Sequence, residues 1–366
     1  MEFTISRDEF QKALQRAQGV ASTKGQMPIL SNILLEASEQ GVWFYSTNLN
    51  IGLKGKYEAA VKAPGKTTVI AKKLYDIVRE LPDGDIDVKV DDDNRLRVVS
   101  GKSRFDLPTI DPADFPSFPE YEESSFIGLE VEMLSEMIRK TKYAISQDET
   151  RMTLNGALLE LSPSKVKMVA TDGHRLTLVE REGAFKVEGT EKSIIAKKAI
   201  DELSKLLTEG EEPLKLFRRD NHIVFERGSL ALAIRLIEGA YPNYDQVIPK
   251  EFSNEANISA PELVHGLRRV ATLANEKSHM IRMTFSQGKL ELRSEGGEIG
   301  EAKDEIAIDF TGEGMAIGLN AYYLLDILQI IDNDTIRLRM QNQHKAIQAE
   351  SPGDEGMVCI VMPMRL

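Results

Sequence analysis

The chain has 366 residues, of which 42% are apolar and 28% charged, and a formal net charge of −12. That length holds two or three separately cored domains, and the acidity argues against a nucleic-acid partner unless positive charge is gathered locally. Cys359 is the single cysteine, which excludes an intrachain disulfide and fits a cytoplasmic protein.

The opening MEFTISRDEF has neither the basic nor the apolar region of a signal peptide. No run of about 18 apolar residues predicts a spanning helix. SRDEFQKALQRAQG (6–19) reads as an amphipathic helix begun by acidic residues. GVWFYST (41–47) alternates as a half-buried strand and leads into a hairpin, YSTNLNIGL. APGKTT (63–68) imitates the end of a phosphate-binding loop. It fails as one, because Ala60 stands where glycine is required and the next segment reads as strand. VIAKKLYDIVREL (69–81) is a helix opening on Lys72 and Lys73. DIDVKVDDDNRLRVVS (85–100) is a strand pair around an Asp91–Asn94 turn, without the further ligands a metal would need. FDLPTIDPADFPSF (105–118) ends this stretch as strand, connection and aromatic-Pro-x-aromatic.

The same order then recurs. EVEMLSEMIRKTKYA (130–144) repeats the first helix, KVKMVA, VATDGHRLTLVE and HIVFER supply strands, and IIAKKAIDELSKLL (194–207) repeats the second helix. Its Lys197 and Lys198 match Lys72 and Lys73 at a spacing of about 125 residues. AIRLIEGAYPNY (233–244) matches the first ending. A third pass contains APELVHGLRRVATLA (260–274), KLELRS, and AIGLNAYYLLDILQII (316–331) with Asn320 at the lysine position, and finishes on CIVMPMRL. GEGMAIG (312–318) misses the dinucleotide fingerprint by one residue. We therefore expect three similar α+β domains over 1–122, 123–252 and 253–366, each with two helices on one face of antiparallel sheet.

The triple repeat, ATDGHRL, LNG (154–156), NEK (275–277) and the terminal VMPMRL together resemble the bacterial sliding-clamp family, the β subunits of DNA polymerase III, from Phe3 to Leu366. The resemblance implies the DNA clamp fold: a ring-shaped homodimer of six domains, helices lining the hole and sheets outside. It implies a processivity factor in DNA replication, without catalysis, cofactor or metal. Its partners would be double-stranded DNA bound without regard to sequence, a second copy of itself, the polymerase III α subunit, the clamp-loader δ subunit, and other polymerases and mismatch-repair proteins carrying clamp-binding peptides.

Charge placement agrees with a DNA-filled ring. Lys72, Lys73, Lys197 and Lys198 sit at helix starts, where the helix dipole disfavours cations, so a repeated local cost points to something anionic outside. Arg16, Arg139, Lys140, Lys142, Arg268 and Arg269 fall late in the first helices, where the dipole alone also favours them. A basic lining inside an acidic exterior would hold phosphate without reading bases. The resemblance adds Lys24, Gln147 and Arg151 as loop residues reaching DNA. It also adds Phe105 and Leu107, facing Thr272 and Leu273, as the dimer contact. Glu295–Glu305 is either part of that boundary or a solvated charged loop.

Asp172, His174 and Arg175 could be taken for a proton-transfer cluster. Compared with the sister hairpins, Asp172 and Gly173 shape a turn, while His174 and Arg175 have no counterpart. The resemblance places them in a peptide cleft between the second and third domains. Its wall would be Leu154, Thr171, Gly173, His174, Arg175, Leu176, Pro242, Val247, Asn320, Tyr323, Val361, Met362, Pro363, Met364 and Leu366, with Tyr322 beside it. Its peptide would begin with glutamine and continue with leucine or aromatic residues. Gln246, His344 and Ala346 depart from the family pattern and bear on peptide preference.

Overall fold

Each helix follows a strand with at most one residue between, and the residue at that junction decides how its first amides are met. The computed structural model describes residues 1–22, 27–122, 125–208, 210–295 and 300–366. Among them are six α-helices: α1 Arg7–Val20, α2 Ala71–Glu80, α3 Val131–Thr141, α4 Lys197–Leu207, α5 Ala260–Ala271 and α6 Ala321–Leu328. Ser6 Oγ accepts from the Glu9 amide at 3.3 Å and caps α1; Ser259 Oγ does the same for α5 through Glu262. Asn320 Oδ1 accepts from the Tyr322 amide at 2.9 Å and caps α6. Ile70, before α2, offers no side-chain cap. All six expected helices are present.

The chain forms two compact units, residues 1–134 with 198–236, and residues 135–197 with 237–366. These are not the sequence repeats, because the middle repeat is divided between them. The cause lies in strand pairing. In the first unit Ile51–Tyr57 pairs antiparallel with Leu230–Arg235; in the second, Arg175–Glu182 pairs with Met357–Val361.

The first unit has an eight-stranded sheet in the order Ile127–Leu129, Leu214–Arg219, His222–Arg227, Leu230–Arg235, Ile51–Tyr57, Gly41–Thr47, Asn32–Ser38, Gly65–Ile70. A five-stranded sheet runs Ala60–Ala63, Glu2–Ser6, Asp85–Val90, Arg95–Ser100, Ser103–Pro108. α1 packs against α2 and against Gly41–Thr47 and Ile51–Tyr57. It buries Phe10, Ala13, Leu14, Ala17 and Val20, the single apolar stripe its period dictates. Phe10 meets Phe3 and Phe44 edge to face, with ring centres 6.5 and 5.8 Å away. Each such side chain contributes about 1.5–3 kcal/mol through burial.

The second unit repeats the larger sheet strand for strand, in the order Glu191–Ala196, Gly156–Ser162, Lys165–Thr171, Arg175–Glu182, Met357–Val361, Ile347–Glu350, Thr335–Met340, Asn254–Ser259, with Asp309–Thr311 added at the end. Its four-stranded sheet runs Glu301–Ala307, Lys289–Glu295, Met280–Ser286, Met315–Asn320. α5 lies close on the first two strands of this sheet. A Cβ at Gly266 would stand 2.8 Å from Ile306 Cδ1 and 2.9 Å from Leu292 Cδ1, so a side chain there would require both to shift.

Asp91–Asn94 is the expected hairpin turn: Asp91 Oδ1 accepts from the Asp93 and Arg95 amides, and Asn94 takes a positive φ of 55°. The tail of the APGKTT segment is strand Gly65–Ile70 and that of GEGMAIG is strand Met315–Asn320, so neither forms a phosphate-cradling loop. Much of Glu295–Glu305 proves to be edge strand rather than loop, with 296–299 outside the described residues. Among the described residues no helix is long and apolar enough to cross a membrane.

Lys140 requires a correction. Expected to face DNA, it is buried, with its ammonium 2.6 Å from Glu136, 2.7 Å from Asp354 and 3.3 Å from Asp332. Arg181 joins the same carboxylates at 2.9 Å from Glu136 and 3.0 Å from Asp354. Three carboxylates on one buried ammonium tie α3 to Asp332, beyond α6, and to the turn before Met357–Val361, and Arg181 brings in the strand Arg175–Glu182. Hydrogen bonds from Arg181 and Lys140 hold Glu136 below the usual carboxylate range, against burial, and Arg139 does the same for Asp332. Burial alone would lower the Lys140 pKa, but its bonds to Asp354 and Glu136 outweigh that and raise it.

Lys140→Ala is expected to lower stability by about 2–3 kcal/mol, less than a fully buried pair because Glu136 and Asp332 keep some solvent. Urea unfolding monitored by circular dichroism measures it. The lowered carboxylates give stability that is complete above their unfolded pKa, near 4, and is lost as pH falls through their lower folded values. The variant should therefore show a smaller loss than the parent over that acid range.

Candidate peptide-binding site

The site is built on one turn of the second unit. Strand Lys165–Thr171 reverses into Arg175–Glu182 through Asp172, Gly173 and His174. Asp172 Oδ1 accepts from the amides of His174 at 2.9 Å and Arg175 at 3.0 Å, and Thr171 Oγ1 accepts from the Gly173 amide at 3.1 Å. Gly173 has φ +89°, open to glycine, and a Cβ there would lie 2.7 Å from Arg151 Nη1. The turn is thus self-bonded, and Asp172 is engaged by its own backbone. Its other oxygen receives Arg175 Nε at 3.1 Å. No nucleophile–base pair is present in this cluster.

The C-terminal residues run across this turn. After Val361, the Met362 amide donates to His174 O at 2.8 Å. The first unit makes the same bond at the matching place, from the Arg235 amide to Asn50 O at 2.8 Å. Two residues further, the Met364 amide donates to Gly318 O at 2.8 Å, forming an isolated bridge to Met315–Asn320. A Cβ at Gly318 would meet Met364 O at 2.8 Å and Leu366 Cδ2 at 3.1 Å. The last residues are therefore pinned between two strands.

α6 supplies the third side. Tyr323 stacks on His174 at 6.4 Å with planes 18° apart, and Arg175 Cζ lies 4.7 Å from the Tyr323 ring centre. The opposite neighbour of Arg175 is the Tyr143 ring at 5.0 Å. Its Nη2 donates to Tyr143 O at 2.9 Å, and its Nη1 to Asp326 Oδ2. Tyr322 meets His279 edge to face at 4.7 Å.

Leu176 packs in a buried cluster with Ile360, Tyr244 and Ala346, forming a floor. Val361 is buried, and so, near the limit, are Leu154 and Thr171. Pro242 and Val247 stand exposed, Val247 tied by its amide to Tyr244 O. Gln246 and His344 are exposed, so those two departures from the family pattern face solvent. Large exposed apolar residues of this unit, among those described, are Met152, Val247, Tyr322, Met362 and Leu366. Four of these five belong to the expected cleft. Exposed apolar groups concentrated in one region mark an interaction surface.

The structure adds three residues that the sequence did not point to. Tyr143 and Asp326 hold Arg175, and Tyr241 lies against Thr171 with its hydroxyl pKa raised by burial. The spacing of Tyr323 and Asp326, three apart on one helix face, was the available signal for Asp326. Behind the site Tyr143 OH meets Thr177 Oγ1 and Cys359 Sγ. Burial pushes the Cys359 thiol up to about 11, which leaves it unreactive.

The cations divide into two groups. Lys72, Lys73 and Lys198 are exposed and Lys197 half so, and among the described residues none has a carboxylate in ion-pair reach. By contrast Arg16 bonds Tyr57 OH at 2.8 Å, Arg139 bonds Asp332 at 2.7 Å, and Arg269 is 2.5 Å from Asp304. Gln147 and Arg151 are exposed; Lys24 lies outside the described residues. Phe105 and Leu107 are half-buried on Ser103–Pro108, the outermost strand of its sheet. Thr272 is exposed and Leu273 half-buried, at the end of α5. None of these four is core.

Gly318→Ala is expected to push Met364 and Leu366 off their strand and to weaken cleft binding about tenfold, or about 1.4 kcal/mol. Faster hydrogen exchange at the Met364 amide would accompany it.

Comparison with known proteins gives the same outline. Family models of the DNA polymerase III beta subunit match in order: the N-terminal domain over residues 1–119, the central domain over 128–243 and the C-terminal domain over 245–365. The chain is 36% identical over 375 residues to a beta sliding clamp of Caulobacter vibrioides and 35% over 368 residues to that of Pseudomonas putida, with all of each chain covered. A solved DNA polymerase sliding clamp from Pseudomonas aeruginosa superposes with a TM-score of 0.95 at 33% identity, over the whole of both chains. One from Bacillus subtilis gives 0.94 at 26%, over 100% of this chain and 99% of its own. The chain belongs to the DNA polymerase III beta subunit family, the bacterial sliding clamps.

Proposed function

We propose that this chain closes as a two-fold ring around duplex DNA and tethers polymerases through the cleft beside His174. The protein is a processivity factor and not an enzyme, as its family is. What supports the cleft above all is the gathering of Val247, Tyr322, Met362 and Leu366, exposed and apolar, around the expected wall. Such a surface, with few polar groups to orient a ligand, suits a short linear peptide. A Pseudomonas aeruginosa sliding clamp, 32% identical, was solved bound to griselimycin.

Lys72, Lys73, Lys197 and Lys198 are the DNA-facing cations in this reading, joined by Arg151, Gln147 and Lys24. An ammonium without a protein partner can take a phosphate at no cost in broken ion pairs. Lys140 is removed from the set, and Arg139 contributes only as far as Asp332 leaves it free.

Dimer closure follows from strand edges. Ser103–Pro108 and Glu301–Ala307 each end a sheet, and an uncovered edge is a template for pairing. Joining the first edge of one chain to the second edge of its partner, twice, closes a two-fold assembly. Phe105 and Leu107 then meet the region of Thr272 and Leu273. The three domains divide near 122 and 252.

Loaded on nicked circular DNA, the protein should remain bound and be lost once the circle is linearised; equal retention on both forms would overturn the encircling mechanism. Changing Lys72, Lys73, Lys197 and Lys198 to Glu should reduce that loading and flatten its salt dependence, read by gel filtration of the protein–DNA complex. His174→Ala should weaken peptide binding while sedimentation still reports a dimer.

A further inference from the structure

We infer that Asp326 is a positioning residue of the peptide cleft, which acts by holding the Arg175 guanidinium as an internal post for Tyr323 and His174. The inference rests on the peptide reading above and assigns a role to a residue outside the expected wall.

Each nitrogen of the guanidinium donates a hydrogen bond within the protein. Nε donates to Asp172 Oδ2, Nη1 to Asp326 Oδ2 and Nη2 to Tyr143 O. Its side chain is only 12% exposed, against 35% for Asp326. Both faces are covered, by Tyr143 at 5.0 Å and Tyr323 at 4.7 Å. A cation so enclosed has little left with which to bond a peptide. What it can do is fix the planes around it.

Tyr323 is the plane that matters. It carries Arg175 on one side and is roughly parallel to His174. Asp326 and Tyr323 are three residues apart on α6, so they share a helix face. The carboxylate therefore ties to the turn the same helix that presents Tyr323 to the cleft. Asp172 cannot replace it, because one of its oxygens already serves two turn amides. Without Asp326, Nη1 loses its only carboxylate and α6 its only ion pair to the turn, among the described residues. Tyr323 then loses the registration of its ring against His174.

The test uses the intact dimer and a fluorescein-labelled peptide that begins with glutamine and ends in leucine and phenylalanine. Asp326→Asn, nearly isosteric, should weaken the peptide at least tenfold, and Arg175→Ala should do the same. Two further readouts separate positioning from general loss of structure. In a Tyr323→Ala background, Asp326→Asn should add less than twofold, since the ring it places is gone. The His174 ring carbon resonance, assigned by its disappearance in His174→Gln, should shift in Asp326→Asn without any peptide present.

Parent-like affinity in Asp326→Asn, with loss in Arg175→Ala alone, would overturn the inference and make Arg175 a direct contact. So would an unshifted His174 resonance, or full additivity with Tyr323→Ala. If the parent itself fails to bind the peptide, the peptide reading falls; the His174 shift still decides the positioning role.

Discussion

One antiparallel seam governs the functional part of this molecule: Arg175 to Val179 against Val361 to Met357. It joins segments distant in the sequence, so the turn before one strand and the residues after the other arrive side by side. The turn and the C-terminal side of the cleft follow from that register, and α6 completes it. A slip of one residue would turn the side chains of the slipped strand to its other face and separate Leu176 from the buried cluster it shares with Ile360. The equivalent seam in the first unit, Ile51 with Ile234 onward, has the same register and the same closing bond. Yet it carries Asn50 where the second has His174, so the same architecture presents different side chains at its two turns.

The fold was largely legible because it is written three times. Helix starts could be read from early acidic residues such as Asp8, Glu9 and Glu262, and strands such as Gly41–Thr47 and His222–Arg227 matched their alternating segments. Their partners across repeats were not legible, since periodicity marks a strand without naming its neighbour. That is why repeats and compact units divide the chain differently. At the site, symmetry breaking singled out His174 and Arg175, but their roles needed coordinates. Arg175 reads as a free charge in sequence and is enclosed in the structure. Lys140 fails for the same reason: the carboxylates that surround it come from Glu136 nearby but also from Asp332 and Asp354, nearly two hundred or more residues later.

Electrostatics divides labour along the helices. Cations late in the first helices are mostly tied to carboxylates or a tyrosine, which makes them part of the packing. Among the described residues those at the starts of α2 and α4 have no such partner, and α2 has no capping side chain at Ile70. In the proposed DNA-facing role, interchangeable ammonium groups would favour contacts that form and break with equal ease, as motion along a uniform phosphate backbone needs.

Gly318 has a consequence for how such a surface can change. Its lack of a side chain is what lets Met364 and Leu366 lie down on Met315–Asn320. A small molecule that leaned on those two residues would therefore rest on a wall whose support tolerates almost no substitution. Escape by mutation would fall instead to exposed side chains such as Val247 or His344, which can vary without disturbing that support.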